Sequence, residues 1–324
     1  MSFEMNTIFA LIFLAAGLGF LWKSADFLVN GAVGLASHFG VSPLVMGLTI
    51  VAMGTSAPEV ASSITAAFNG WGDIAVANVY GSNIANLALV GGCCAIIRPL
   101  TITLKSLKRE LPVMLLVAIL LYPFIRNMHL SRLEGILLLI VFAAMIAFTV
   151  VSARRESNQR KIDLPQAEAM TLSMGKAFTL VFIGIAGLAL GAKLAVEGSV
   201  FLGSKIGLSH SVIGLTIVAV GTSLPELVTS VKAAIKNQND ISLGNLVGSN
   251  IFNTLLVTGS ACTLKPFNIA PRLMGADYWI MILVTIIFIL FASFDKKISR
   301  INGVILLAIY TAYVGYLLLF KPSL

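Results

Sequence analysis

The chain has 324 residues, 58% hydrophobic and 11% charged, with a net charge of +8 and a mean hydropathy of +0.96. A water-soluble domain carries about 25% charged residues, so a soluble globular protein is excluded. Apolar runs of about 20 residues, the length a bilayer requires, recur along the sequence. Lipid admits only helices or closed barrels and barrel-type alternation is absent, which leaves an all-α polytopic membrane protein.

Ten membrane helices are predicted, at residues 6–36, 42–68, 73–97, 107–125, 131–152, 174–202, 208–235, 240–264, 275–293 and 300–320. The first follows Glu4 and lacks the basic region and cleavage site of a signal peptide. The longest polar segment runs from Ser152 to about Thr171 and holds Arg154, Arg155, Glu156, Arg160, Lys161, Asp163, Pro165 and Glu168. The expected organisation is a first half over 1–152, a cytoplasmic linker over 153–173 and a second half over 174–324. Basic residues such as Arg98, Lys108, Arg109, Arg155, Lys161, Lys232, Lys236, Lys296 and Arg300 gather on one side, which marks it as cytoplasmic. An even number of helices then places both termini outside. Because the basic residues lie in short loops, the net charge reads as a topology signal and nucleic acid is not an expected partner. Cys93, Cys94 and Cys262 fall in apolar runs with neither disulfide nor metal-ligand spacing.

An internal repeat organises the rest. Gly47–Phe68 (GLTIVAMGTSAPEVASSITAAF) and Gly214–Ile235 (GLTIVAVGTSLPELVTSVKAAI) are identical at 14 of 22 positions, at an offset of 214 − 47 = 167 residues. Asp73–Gly92 aligns with Asp240–Gly259 at the same offset, as does Gly31 with Gly198 and Gly40 with Gly207. Five helices per half is an odd number, so the second half is expected to be inverted. Inverted repeats are typical of secondary transporters, whose sites lie near the midplane between the repeats.

Glu59 and Glu226 lie within apolar helices. A charge there costs about 2.5–3.5 kcal/mol even on a lenient insertion scale, and neither helix core offers a basic partner, so a mobile cation is the simplest counter-charge. Each follows a proline, Pro58 or Pro225. Proline has no N–H and so frees the carbonyl of Gly54 or Gly221. Ala52, Thr55 and Glu59 share one helix face with Ser56 beside them, and Ala219, Thr222, Ser223 and Glu226 repeat the set. In the following helices Ser82 and Asn86, and Ser249 and Asn253, are spaced i, i+4. Such oxygens suit Ca²⁺, which takes six to eight of them, and also Na⁺. With no imidazole or thiolate nearby, Zn²⁺ and Cu⁺ are disfavoured.

Asn78, Asn83, Asn245 and Asn250 are expected to bond backbone across helices. Lys193 and Glu197 are expected to pair, and Asp26 and Lys23 to be interfacial. Asp73 and Asp240 are expected as N-caps, and His38, His129 and His210 as solvated loop residues. No metalloprotease helix or nucleophile turn is present, so an enzyme is not expected.

In GTSAPE and GTSLPE (Gly54–Glu59, Gly221–Glu226), with GSNIAN and GSNIFN (Gly81–Asn86, Gly248–Asn253), the chain resembles the cation/calcium exchanger superfamily, in its bacterial sodium/calcium exchanger branch. The resemblance covers essentially the whole chain. It implies ten helices in two inverted five-helix repeats, with the first and sixth helices as a sliding pair. It also implies Glu59 and Glu226 as shared Ca²⁺ and Na⁺ ligands, carbonyl oxygens from Thr55, Thr222, Ala52 and Ala219, and Na⁺ sites assisted by Ser56, Ser82, Ser223 and Ser249. Asn86 and Asn253 would sit at the centre. Some relatives carry an acidic residue in place of Asn86 or Asn253; here both are Asn, leaving two core carboxylates and arguing against K⁺ dependence. The implied protein is a Na⁺/Ca²⁺ antiporter of a bacterial inner membrane, with no cofactor and no obligate protein partner. A Ca²⁺/H⁺ exchanger using the same glutamates is the alternative.

Overall fold

A computed structural model describes residues 6–159, 172–207 and 219–319. Helix dominates, because a chain in lipid must satisfy each backbone group within its own segment. In chain order the helices are α1 (Thr7–Phe39), α2 (Pro43–Thr55), α3 (Ala57–Phe68), α4 (Gly72–Ile97), α5 (Leu111–Ile125), α6 (Arg132–Gln159), α7 (Met174–Lys205), α8 (Ala219–Thr222), α9 (Leu224–Ile235), α10 (Asn239–Phe252), α11 (Thr258–Leu264), α12 (Ala276–Ser293) and α13 (Arg300–Leu319). Among the described residues six helices are long and apolar enough to cross a membrane, or seven if α2 and α3, bent by 44°, form one span. Part of the seventh expected helix, 208–218, and His210 lie outside the described residues. The fifth helix continues to Gln159, past the apolar stretch, since Ala, Arg, Glu and Gln sustain helix well.

Turns recur at the offset of the repeat. Gly40 and Gly207 end α1 and α7 with φ of 63° and 85°, the left-handed conformation that glycine adopts without steric cost. Gly70 and Asn237 pair likewise (79° and 62°), as do Met128 and Asp295 (57° and 54°). Backbone shape thus repeats even where the residue differs.

Helices α1 and α7 cross with backbones nearly touching. A Cβ on Gly31 would lie 2.8 Å from the Ala177 carbonyl, and one on Gly198 would lie 2.6 Å from that of Ala10. Both the glycines and their partners are 167 residues apart. Small residues permit such approach, which is how helices associate in membranes. These two helices, with Met46, Val51, Ala233 and Ile241, form one apolar cluster; a larger one gathers α4, α5, α10, α11 and α12. The outer helices α6 and α13 turn large apolar residues outward, among them Leu133, Ile140, Phe148, Ile301 and Val304, as lipid contact favours.

Two features have no counterpart in the sequence pattern. Short antiparallel ladders stitch loops together: β1 (Leu100–Thr101) pairs with β4 (Lys297–Ile298), and β2 (His129–Leu130) with β3 (Phe267–Asn268). A polar clamp joins α1 to α9. Asp26 meets Lys236 at 2.6 Å and Lys232 at 3.7 Å; Lys236 also donates to Asn30 Oδ1 at 2.6 Å, and Lys232 lies 3.9 Å from the Trp22 ring centroid. Toward the other end of α1 a cleft of about 450 Å³ opens between Leu14, Leu18, Val196, Val220, Gly221 and Leu224.

Candidate functional site

The GTS-x-PE motif breaks the helix close to the carbonyls that the prolines were expected to free. Ser56 takes φ −84° and ψ 5° between α2 and α3, and Ser223 takes −88° and 5° between α8 and α9. The backbone ladder resumes at Val60 N–H to Ser56 carbonyl (3.2 Å) and Leu227 N–H to Ser223 carbonyl (3.0 Å). Pro58 and Pro225 sit in the first turn of the new helix, where no intrahelical N–H is required. Glu59 and Glu226 therefore lie in the first turn of α3 and α9, not mid-helix, and the positive end of each helix dipole favours their charge.

Both carboxylates are buried, at 0% and 1% exposure. Ser56 donates across to Glu226 Oε1 at 3.0 Å, and Ser82 donates to Glu59 Oε1 at 3.5 Å. Neither serine of the broken turns caps its own helix. Thr55 donates to Asn245 Oδ1 at 3.0 Å and lies 3.5 Å from the Ser249 hydroxyl. The Ala52 carbonyl accepts the Ser56 N–H at 3.0 Å and lies 3.3 Å from the Thr55 hydroxyl. Thr55, Ser56, Ser249 and Glu226 thus form a continuous polar patch, with Ser82 on Glu59. Ala219 and Thr222 lie in α8, of which Ala219 is the first described residue.

Close packing holds these elements together. The segment Gly47–Val51 of α2 is wound as π-helix and lies on α10, where a Cβ on Gly47 would be 2.7 Å from the Ile241 carbonyl and one on Gly244 would be 2.6 Å from the Leu44 carbonyl. Two further π-turns, Ala85–Val90 and Asn253–Val257, carry Asn86 and Asn253. Such turns are frequent at functional sites.

Several buried atoms here have no partner among the described residues: Glu59 Oε2, Glu226 Oε2, the Ser223 hydroxyl, and both polar side-chain atoms of Asn86 and of Asn253. Native interiors leave few such atoms, and each costs about 1–3 kcal/mol. The carboxylate, amide and hydroxyl oxygens among these atoms are of the kind a hard cation binds. Among the described residues no group of three His, Cys, Asp or Glu could hold a metal.

Other expectations from the sequence fare unevenly. Asn78 and Asn245 bond backbone across helices, as expected, reaching the Glu59 and Glu226 carbonyls at 3.4 Å. Asn83 instead donates to the Thr254 hydroxyl at 3.0 Å, and Asn250 donates to the Leu246 carbonyl within its own helix at 2.8 Å. Lys193 and Glu197 pair at 3.9 Å. Trp71 and Gln238, not Asp73 and Asp240, are the N-cap residues; the Asp73 carboxylate accepts the Ala270 N–H instead. His38 closes α1 and bonds the Leu172 carbonyl at 2.6 Å, and His129 bonds Asn268 at 2.8 Å beside the β2–β3 ladder.

Known proteins share this architecture. The profile of the family described as "Sodium/calcium exchanger protein" matches residues 9–151 and 176–319. The chain is 38% identical to a putative antiporter, CaxA, of Alkalimonas amylolytica, over 95% of this chain and 97% of that one. It is 35% identical to the sodium/calcium exchanger MaX1 of Methanosarcina acetivorans (94% and 97%) and 35% identical to the inner membrane protein YrbG of Escherichia coli K12 (98% and 99%). A solved structure of the sodium-calcium exchanger NCX_Mj, soaked with Na⁺ and Sr²⁺, superposes with a TM-score of 0.83 at 30% identity, covering 98% of this chain and all of that one. A profile matched in both halves of the sequence, together with relatives and a solved structure aligned over nearly its full length, makes this chain a multi-pass membrane protein of the sodium/calcium exchanger family.

Proposed function

We propose that the chain exchanges Na⁺ for Ca²⁺ across a bacterial inner membrane by alternating access, the two ions competing for one site built on Glu59 and Glu226. The observation that carries this reading is the pair of buried carboxylates, one from each broken helix, each keeping an oxygen without a partner among the described residues, as do the amides of Asn86 and Asn253. Two carboxylates balance one Ca²⁺, and the neutral oxygens of Thr55, Thr222, Ala52, Ala219, Ser56, Ser223, Ser82, Ser249, Asn86 and Asn253 complete the set. Because the Thr55 hydroxyl is committed to Asn245, Thr55 contributes its backbone carbonyl.

The halves are 1–152 and 174–324, five helices each and mutually inverted, joined by a cytoplasmic linker with both termini outside. The recurring turns and glycine contacts at one constant offset support that arrangement. Filling the site neutralises the glutamates and lets the core close; an empty, doubly charged site resists the change. Inward Na⁺ drives Ca²⁺ outward, each net charge moved being worth about 2.3 kcal/mol per ~100 mV.

The test is Ca²⁺ uptake into Na⁺-loaded proteoliposomes. Uptake is expected to require the Na⁺ gradient and to vanish in an E59Q/E226Q double variant. Undiminished exchange in that variant removes the site. Uptake driven by a pH gradient without Na⁺ assigns a Ca²⁺/H⁺ exchanger instead.

A further inference from the structure

Asn78 and Asn245 stand outside the proposed ligand set, yet each grips the residue that carries a carboxylate. Asn78 Nδ2 donates to the Ser63 hydroxyl at 2.9 Å and to the Glu59 carbonyl at 3.4 Å. Asn245 Nδ2 donates to the Ser230 hydroxyl at 2.9 Å and to the Glu226 carbonyl at 3.4 Å. All three residues of each set are 167 positions from their mates. The Asn245 Oδ1 also accepts from Thr55 in the broken turn of the other half, at 3.0 Å.

The first turn of a helix is its least constrained part, since its N–H groups lack intrahelical acceptors. Here that turn follows a break and carries the charged group. An amide side chain offers two N–H donors and an acceptor in one plane, so it can hold the glutamate carbonyl and a hydroxyl one turn later while its oxygen serves a third group. Simple helix packing requires neither the same glutamate carbonyl in both halves nor a bond to the opposite ligand turn.

We propose that Asn78 and Asn245 are positioning residues for the two carboxylates, and that Asn245 also couples the Thr55 turn of one half to the Glu226 peptide of the other. The proposal rests on Glu59 and Glu226 being ion ligands. Without its amide the carboxylate is still present but no longer held in the binding geometry, so ion affinity falls more than turnover does. Loss of Asn245 and loss of the Thr55 hydroxyl break the same link, so their effects overlap, whereas Asn78 acts independently of Thr55.

The experiment uses the full chain in proteoliposomes and follows Na⁺-driven ⁴⁵Ca²⁺ uptake against external Ca²⁺. N245A and N78A are each expected to raise half-saturating Ca²⁺ about ten-fold, the scale of a buried hydrogen bond left unmade, with a smaller fall in maximal rate. T55V, which keeps the backbone carbonyl, weakens affinity as well; the N245A/T55V pair is expected to be no worse than the larger single change, while N78A/T55V is additive. Half-saturation in folded N245A that stays within about two-fold of the unchanged chain, or additivity in the N245A/T55V pair, overturns the proposal. If N245A does not insert, S230A decides: it removes one of the two groups Asn245 donates to, and unchanged affinity there is equally fatal. An E226Q variant that exchanges normally defeats the ligand reading itself; an inactive E226Q with unshifted asparagine variants defeats only the positioning role.

Discussion

Ser56 and Ser223 occupy the same place in the duplicated motif but have different surroundings. Ser56 donates to Glu226 at 3.0 Å, while the Ser223 hydroxyl is buried without a partner among the described residues. A hydrogen bond to a charged group contributes about 1.5–3 kcal/mol. S56A is therefore expected to raise half-saturating Ca²⁺ about ten-fold or more, and S223A to move it far less, both read in the same flux assay. The repeat made the acidic and hydroxyl residues of this site legible in the sequence, because packing in apolar helices does not by itself preserve identical polar residues at a constant offset. It could not reveal that Ser56 serves the glutamate of the opposite half. That bond depends on how two segments 170 residues apart are set against each other, which no local pattern encodes. The asparagines show the same limit: Asn83 and Asn250 match in sequence and differ in partner.

Helix positions were legible from apolar length, and the described helices fall close to the expected spans. What happens inside them was not. The carbonyls freed by proline pointed to the right place but not to its form: the chain breaks at Ser56 and restarts, which moves the glutamate to a helix beginning. The π-turns at Ala85–Val90 and Asn253–Val257 use residues equally suited to α-helix; tertiary packing selects them. Close helix approach was partly readable through the paired glycines. Gly198 supplies a measurable case, since an added Cβ would meet the Ala10 carbonyl at 2.6 Å and the Leu14 nitrogen at 2.9 Å. Both are backbone atoms that cannot step aside, so G198A is expected to cost about 1–3 kcal/mol and to lower the melting temperature in detergent. G175A, where nothing lies within 4 Å, is the control and should leave melting unchanged.

At the scale of the molecule, both apolar clusters of the described residues draw on the two parts of the sequence together. Helix α1 packs on α7, α2 lies on α10, and the two ladders each join a loop of one half to a loop of the other. A chain divided within 160–171 is therefore expected to yield halves that fail to accumulate when expressed singly. Co-expressed, they should assemble, co-purify and restore Na⁺-driven Ca²⁺ uptake. Accumulation of a stable single half would contradict this interdependence.

The tie between α1 and α9 breaks the symmetry of the duplicated plan. Asp26, Asn30, Lys232 and Lys236 correspond to Lys193, Glu197, Thr65 and Asn69 in the other half, so the mirrored fastening cannot form. A two-fold architecture by itself would make the two membrane faces energetically equivalent. In the proposed exchange cycle, a tie at one end and a cleft at the other are expected to favour one orientation over its opposite, a bias carried by the side chains the duplication did not preserve.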